Sequence, residues 1–571
     1  MSVSKNKKWA SFFALLIVGS LILSACGPTP TPEVIEKVVT QVVKETVVVE
    51  ATPQVVEKVV TTTPEPVAKW TGAGFGGVLN VAMAEALSDI DAPATTSSST
   101  QMVSVNINET LVAFSENYKI VPMLAESWDI SDDGKTYTFH LRQGVKFHNG
   151  EEMTSEDVIA SYERVIAISP AAARFDMVES YEAPDEYTVV FRVKFPTRQF
   201  LVSLASLSGE MAIQPKSVIE GKGAGELKVP EEIIGTGPYK LASYDYDTLI
   251  VLERFEDYQP LPGERDGAAG AKIPYFDEIR IHIVPESASK VAGFQAGDYD
   301  IITQVRPAEY AQVKGQPGLN VGTFYPGMMR FFQFNDRDER YGGTVKWRQA
   351  ILAALDMKEI GMYASGGDPS LFSVTPTLWP PGGAMYLPGD PAVEALYNQN
   401  DVEKAKRLLE EVGYDGEELV YMTYEQPPLI SQAVAKQLEE KLGLNIKIEV
   451  MDWPACSARR EEPTGWAFMD NDCSSYNYMP FVIRNFFHCE SDSVVRGTYC
   501  NRDLDAAFDA ALAALTDEEA QQAWREAQRI IYEDVPFIKL FDEPDFYATR
   551  ADIKDYKGWY RTRYFGVWRE K

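Results

Sequence analysis

An α/β fold is predicted for this 571-residue chain, and three consecutive stretches between Glu418 and Asp472 predict it. ELVYMTY, from Glu418 to Tyr424, is rich in β-branched and aromatic residues and is stopped by Pro427-Pro428, so it reads as a strand with a hard end. Apolar residues then recur at Ile430, Val434, Leu438 and Leu442, one face of a helix that Gly443 ends. After it Leu444, Ile446, Ile448 and Val450 alternate with Asn445, Lys447 and Glu449, and a period of two replaces the helical one. Strand, crossover helix and strand pack back onto one sheet in the right-handed sense, which makes the strands parallel and brings their ends to one edge. Ligands of open α/β sheets bind beyond that edge. The candidate site residues are therefore Tyr424, Glu425 and Gln426 after the first strand, Met451 to Pro454 after the second, and then Gly465, Trp466 and Asp470. Trp453 and Trp466 taken singly also suit a core role; their joint position makes them candidates.

The length suggests about three domains after a seventy-residue lead, enough chain to enclose a cleft. A formal charge of −30 argues against nucleic acid or an anionic membrane surface as the main partner. Lys5, Lys7 and Lys8 precede an apolar run from Trp9 to Leu23, too short for a spanning helix, and then L-S-A-C at Leu23 to Cys26. This is an export signal, and L-S-A-C resembles a bacterial lipobox, which implies cleavage before Cys26 and acylation of that cysteine. From Gly27 to about Trp70 the composition turns to Thr, Pro, Val, Glu and Lys, a low-complexity tether in which VIEKVVT at Val34 is echoed by VVEKVVT at Val55. Ile35, Val39, Val42, Thr46 and Val49 would suit a short coiled-coil seam, but Pro53 interrupts it, and a solvated stalk is the better reading.

Glycines 72 to 77 end the tether, and VLNVAM begins the first strand of the body. A polar loop follows, Thr95-Thr96-Ser97-Ser98-Ser99-Thr100. Between Leu124 and Val165, Asp132-Asp133-Gly134 makes a turn, and Tyr137, Phe139 and Leu141 line one face of a strand. Asn149-Gly150 turns the chain again, and Thr154 caps a helix with Asp157 three residues on.

LAESWDISDDGKTYTFHLRQGVKFHNGEEMTSEDVIASYERV, from Leu124 to Val165, resembles the signature of the family 5 extracellular solute-binding proteins, the receptors of peptide and nickel ABC importers. The likeness continues through IGTGPYKL at Ile234, FQAGDYDI at Phe294, KWRQAILAALDMKEI at Lys346, DVEKAKRLLEEVGY at Asp401 and the crossover unit. The resemblance implies a two-lobed fold with an extra domain in the first lobe. Its expected layout is a signal at 1–25, a lipidated cysteine and tether at 26–75, and first-lobe segments at 76–115, 234–325 and 536–571. The extra domain is expected at 116–233 and the second lobe at 326–535. It also implies a monomer, anchored outside the cytoplasm by lipid, that passes a peptide or other small solute to a permease and ATPase complex.

The four histidines lie at no metal-ligand spacing, and no nucleophile elbow, P-loop or dinucleotide fingerprint occurs, so neither enzyme chemistry, metal nor cofactor is expected. A secreted hydrolase is therefore the weaker alternative, as is a sensor without transport. Apart from Cys26, four cysteines remain in an exported chain, and two disulfides are expected. The resemblance favours Cys489 with Cys500, which leaves Cys456 with Cys473. It also implies roles in the cleft. An aspartate shortly after a Gly-Trp pair holds a peptide ammonium in relatives, which points to Asp470 first and Asp472 second. Gln426 stands where dipeptide receptors carry an arginine, so free dipeptides are disfavoured against longer peptides, neutral oligosaccharides or a metal chelate. Thr95, Thr96 and Ser97 align with a loop that lines the cleft.

Overall fold

The computed structural model describes residues 70–571 except 207–210, 306, 380–385, 426, 475–479, 492 and 494. The expected export signal, the expected tether and Cys26 lie outside the described residues, as does Gln426.

Ten strands form one mixed sheet: β1 (Val78–Met83), β2 (Tyr239–Asp245), β3 (Leu249–Arg254), β4 (Glu278–Ile283), β5 (Ile301–Thr303), β6 (Leu319–Phe334), β7 (Glu418–Thr423), β8 (Asn445–Val450), β9 (Phe468–Ser474) and β10 (Phe537–Arg550). Their order is β8-β7-β9-β6-β10-β5-β1-β4-β3-β2. Two strands, β6 and β10, are much longer than the rest, at 16 and 14 residues, and they join the two halves of the sheet. They pair antiparallel from Leu319 with Arg550 to Gln333 with Phe537, but the register shifts between Arg330 and Phe331 and, more widely, between Phe324 and Met328. There three residues of β6 oppose the single Pro544 of β10, which has no N–H to give to a ladder. Gly327 sits in this break because a Cβ would be driven into the Glu543 carbonyl oxygen.

The expected crossover unit is present. β7 and β8 are parallel, in register from Glu418 with Asn445 to Thr423 with Val450, and helix α1 (Leu429–Leu442) connects them. Gly443 ends α1 in the left-handed region at φ +69°. Ile430, Val434 and Leu438, the periodic residues, are buried with Tyr421, Phe332 and Phe468. Trp347 stacks on Phe468 at 6.1 Å between ring centroids. On another face of this half, helices α2 (Arg502–Ala513) and α3 (Asp517–Asp534) bury Phe508 and Trp524 against Met329, Phe331 and Phe537.

A separate four-stranded antiparallel sheet, in the order 125–130, 136–141, 188–193, 178–185, lies between Ala125 and Val193 in sequence. Tyr137, Phe139 and Leu141 face its core, and Thr154 and Asp157 form the capping box of the helix Ser155–Ile168. This layer packs with Ala268 and Ala269, between β3 and β4 of the first half of the main sheet (β1 to β5), and with Trp559 and Tyr560, after β10. The polar run from Thr95 is shorter than expected as a loop, since Ser98 to Thr100 form the first turn of a helix reaching Ile107.

Of the two expected disulfides, Cys489–Cys500 is formed, with Cα atoms 4.8 Å apart. The pairing of Cys456 with Cys473 is corrected: both are free, buried thiols. Cys456 packs with Met422, Trp466 and Met469, whereas Cys473 joins Met329, Phe331 and Ile483 in a different cluster. Cys473 lies four residues beyond Met469 on β9, about 13 Å along a strand, beyond the reach of a disulfide from the first cluster.

Candidate functional site

The carboxyl ends of β7 and β9 meet β6 and β10 just past the break in the crossing strands, and a cavity of about 460 Å³ opens there. Its polar wall is a single guanidinium ringed by three carboxylates. Arg330 stands on β6 opposite Asp472 of β9 and Phe541 of β10, so the ladder sets its position. Its Nε donates to Glu543 at 2.7 Å, and its Nη1 donates to Glu425 at 2.9 Å and to Asp472 at 3.3 Å. The Tyr424 hydroxyl donates to Asp472 at 2.6 Å. The four charged side chains are each 17–24% exposed. Leu371, Ile430 and Phe541 supply the apolar part of the lining.

Three carboxylates against one guanidinium leave the group short of positive charge. Burial opposes the charge on Arg330, yet Glu543, Glu425 and Asp472 hold its pKa above the ordinary value. Burial pushes the Glu425 carboxyl up, Arg330 pulls it back, and the Glu543 and Asp472 charges push it further up. Asp545, two residues beyond Glu543 on the crossing strand, is pushed to about 6 by burial and the Glu543 charge, with Arg561 opposing. The arrangement is suited to an ammonium or another cation.

The residues singled out from sequence fall into three groups. Asp472 lines the cavity. Asp470 lies behind that wall, 3% exposed, with the Tyr421 hydroxyl donating to its Oδ1. Burial and the nearby Glu425 charge raise its pKa to about 7 against the hydrogen bonds from Tyr421 and Thr423. Trp466 does not present a face to the cavity: it is 3% exposed and its indole N–H donates to the Glu462 carbonyl at 3.1 Å. The left-handed turn at Gly465 (φ +90°) precedes it, and the helix Trp453–Arg459 covers it through Cys456. Trp453, in contrast, is 45% exposed, edge-on to Tyr424 at 5.0 Å, with Arg460 over its ring at 5.5 Å. Thr95, Thr96 and Ser97 are not in the cavity wall; Thr95 accepts from the Ser97 N–H at 3.1 Å and bonds Ser88 at 3.0 Å.

The chain matches the profile of the bacterial extracellular solute-binding proteins, family 5, over residues 119–493. The protein belongs to that family. Its family 5 relatives include a probable peptide ABC transporter periplasmic-binding protein of Sinorhizobium fredii, 27% identical over 479 residues that cover 80% of this chain and 87% of the relative. Another is the heme-binding protein A of Haemophilus influenzae, 28% identical over 485 residues covering 76% and 81%. The solved structure of a substrate-binding protein of Listeria monocytogenes shares the two-lobed family 5 fold, with a TM-score of 0.73 at 21% identity over 87% of this chain and all of that one. Family 5 members are extracytoplasmic receptors rather than enzymes. Among the described residues no helix is long and apolar enough to cross a membrane.

Glu425 was among the residues picked out beyond the first strand, whereas Arg330 and Glu543 were not selected from sequence. Arg330 is the lone charge in GMMRFFQF, a local anomaly in an apolar stretch, whereas Glu543 stands among the charges of IKLFDEPDFYATR and is marked only by the proline after it.

Proposed function

We propose that this family 5 protein is a lipid-anchored receptor that captures peptides by their protonated amino end and presents them to an ABC permease and its ATPase. The observation that carries the reading is the cavity wall in which Asp472, Glu425 and Glu543 surround Arg330 at the carboxyl edge of the sheet. A ligand ammonium entering that wall gains unpaired carboxylate lone pairs in a partly buried site. Asp472 is the anchor within reach, and Asp470 supports it from behind. Trp453 packs edge-on against Tyr424 of the cavity wall. An oligosaccharide is the less favoured occupant, because its expected platform of two tryptophans is reduced to Trp453 by the burial of Trp466.

The break at residues 325–327 and Pro544 supports closure of the two halves by rotation of the crossing strands. Anchoring rests on L-S-A-C at Leu23 to Cys26 and the tether that follows. Calorimetry of the purified protein with a pool of two- to six-residue peptides, and separately with neutral oligosaccharides, tests the ligand class: heat with sugars alone would overturn the reading. For the anchor, Cys26→Ala should move the protein out of the membrane fraction.

A further inference from the structure

The antiparallel layer that hangs from the first half reaches across to the second half at a place away from the crossing strands. Its loop 195–198, between the strand Thr188–Val193 and the helix Gln199–Leu204, meets the turn Ala514-Leu515-Thr516 that joins α2 to α3. Thr197 Oγ1 donates to the Leu512 carbonyl at 2.9 Å, one of the carbonyls that the end of α2 leaves without a helical partner. Arg198 forms an ion pair with Asp517, the first residue of α3. Leu515, 39% exposed, lies over the turn at Gly134: a Cβ there would stand 2.8 Å from Leu515 Cδ1 and 3.0 Å from Pro196 Cβ.

Both sides are held in place by their own halves. The Tyr137 hydroxyl, inside the insert core, donates to the Thr197 carbonyl at 2.7 Å, and Thr197 Oγ1 accepts from the Gln199 N–H at 3.1 Å. The opposing turn is set by the capping box of Thr516 and Glu519. Two preshaped turns therefore meet at a contact whose members are more than 300 residues apart in sequence, as in Thr197 with Leu512. A rotation about the break at 325–327 that moves the halves apart on this side would part them.

We propose that this contact is a latch, a small polar and apolar clasp that holds the two halves closed and sets how readily the cleft opens. One hydrogen bond, one ion pair and one leucine contact are individually weak. That is what a latch requires, because the contact has to be broken each time the cleft opens. The charged groups facing it are Arg198 on the insert and Asp517, Glu518 and Glu519 on the first turn of α3.

The test is hydrogen exchange on the full chain, wild type against Arg198→Glu, which places a carboxylate opposite Asp517, and against Arg198→Glu combined with Asp517→Arg, which restores opposite charges. Arg198→Glu is expected to speed exchange about fivefold. The increase should appear in the turn 512–517 and also at Tyr424, Glu425 and the crossing strand near Glu543, which touch neither residue. The exchanged pair should return all three regions to wild-type rates. Faster exchange confined to 195–199 and 512–517, with the cleft unchanged, would show a local contact only and overturn the latch, as would no change at all. The readout needs no ligand, so it stands apart from the peptide reading.

Discussion

Replacing Asp470 by Asn should flatten the pH dependence of stability between about pH 4 and pH 7 without emptying the cavity. Asp470 is 3% exposed, and its pKa is raised from 3.8 to about 7, chiefly by burial and then by Glu425. The folded state therefore holds a proton that the unfolded chain has released over that interval. By linkage the stability this group lends is full below the unfolded pKa and is lost as pH rises to the folded one. At 1.36 kcal/mol per pH unit the interval corresponds to about 4 kcal/mol. Asn keeps an acceptor for the Tyr421 hydroxyl and never ionises, so the variant should gain on the wild type by up to that amount between pH 5 and pH 8. Denaturant unfolding followed by tryptophan fluorescence at pH 5, 6, 7 and 8 measures the difference. A wild-type-minus-variant difference that stays constant across the series would refute the burial argument for Asp470.

Asp472→Asn should weaken peptide binding by about 2 kcal/mol or more in calorimetry, because it removes the carboxylate that lines the cavity and meets both Arg330 and Tyr424; unchanged affinity would remove it as the anchor. Gly327→Ala should lower stability by about 1–3 kcal/mol, since the added Cβ runs into the Glu543 backbone at the break in the crossing strands, and thermal unfolding reads it directly. Thiol titration of the unfolded body without reductant should find the two thiols of Cys456 and Cys473, and reduction of Cys489–Cys500 should cost about 3 kcal/mol.

The crossover unit was readable because its signals are local: a change of period at Gly443, a proline stop after Tyr424 and β-branched alternation in β8. The capping box at Thr154 and Asp157 was readable for the same reason, being complete within four residues. The site was only half legible. Its position at the sheet edge follows from the handedness of the crossover, but its membership depends on β6 and β10 meeting β9. Arg330 is 142 residues from Asp472 and 213 from Glu543, and nothing local encodes that pairing. The choice between Asp470 and Asp472 fails from sequence for another reason. Both occupy β9, and the two differ in depth along the strand relative to Arg330, with Asp470 opposite Phe332 and Asp472 opposite Arg330. Trp466 misled because a Gly-Trp pair after a strand suits a loop as well as a core plug, and the helix that buries it is specified by Asp452, whose carboxylate caps it at Ala455.

The central claim is that the wall of Asp472, Glu425 and Glu543 around Arg330 receives a peptide ammonium. Calorimetry with one tripeptide, taken from those the protein binds, in its free and N-acetylated forms tests this most directly, since acetylation removes the charge and leaves the rest of the ligand in place. Binding of the free form, weakened by about 2 kcal/mol or more on acetylation, is the predicted result. Equal affinity for the two forms would contradict it.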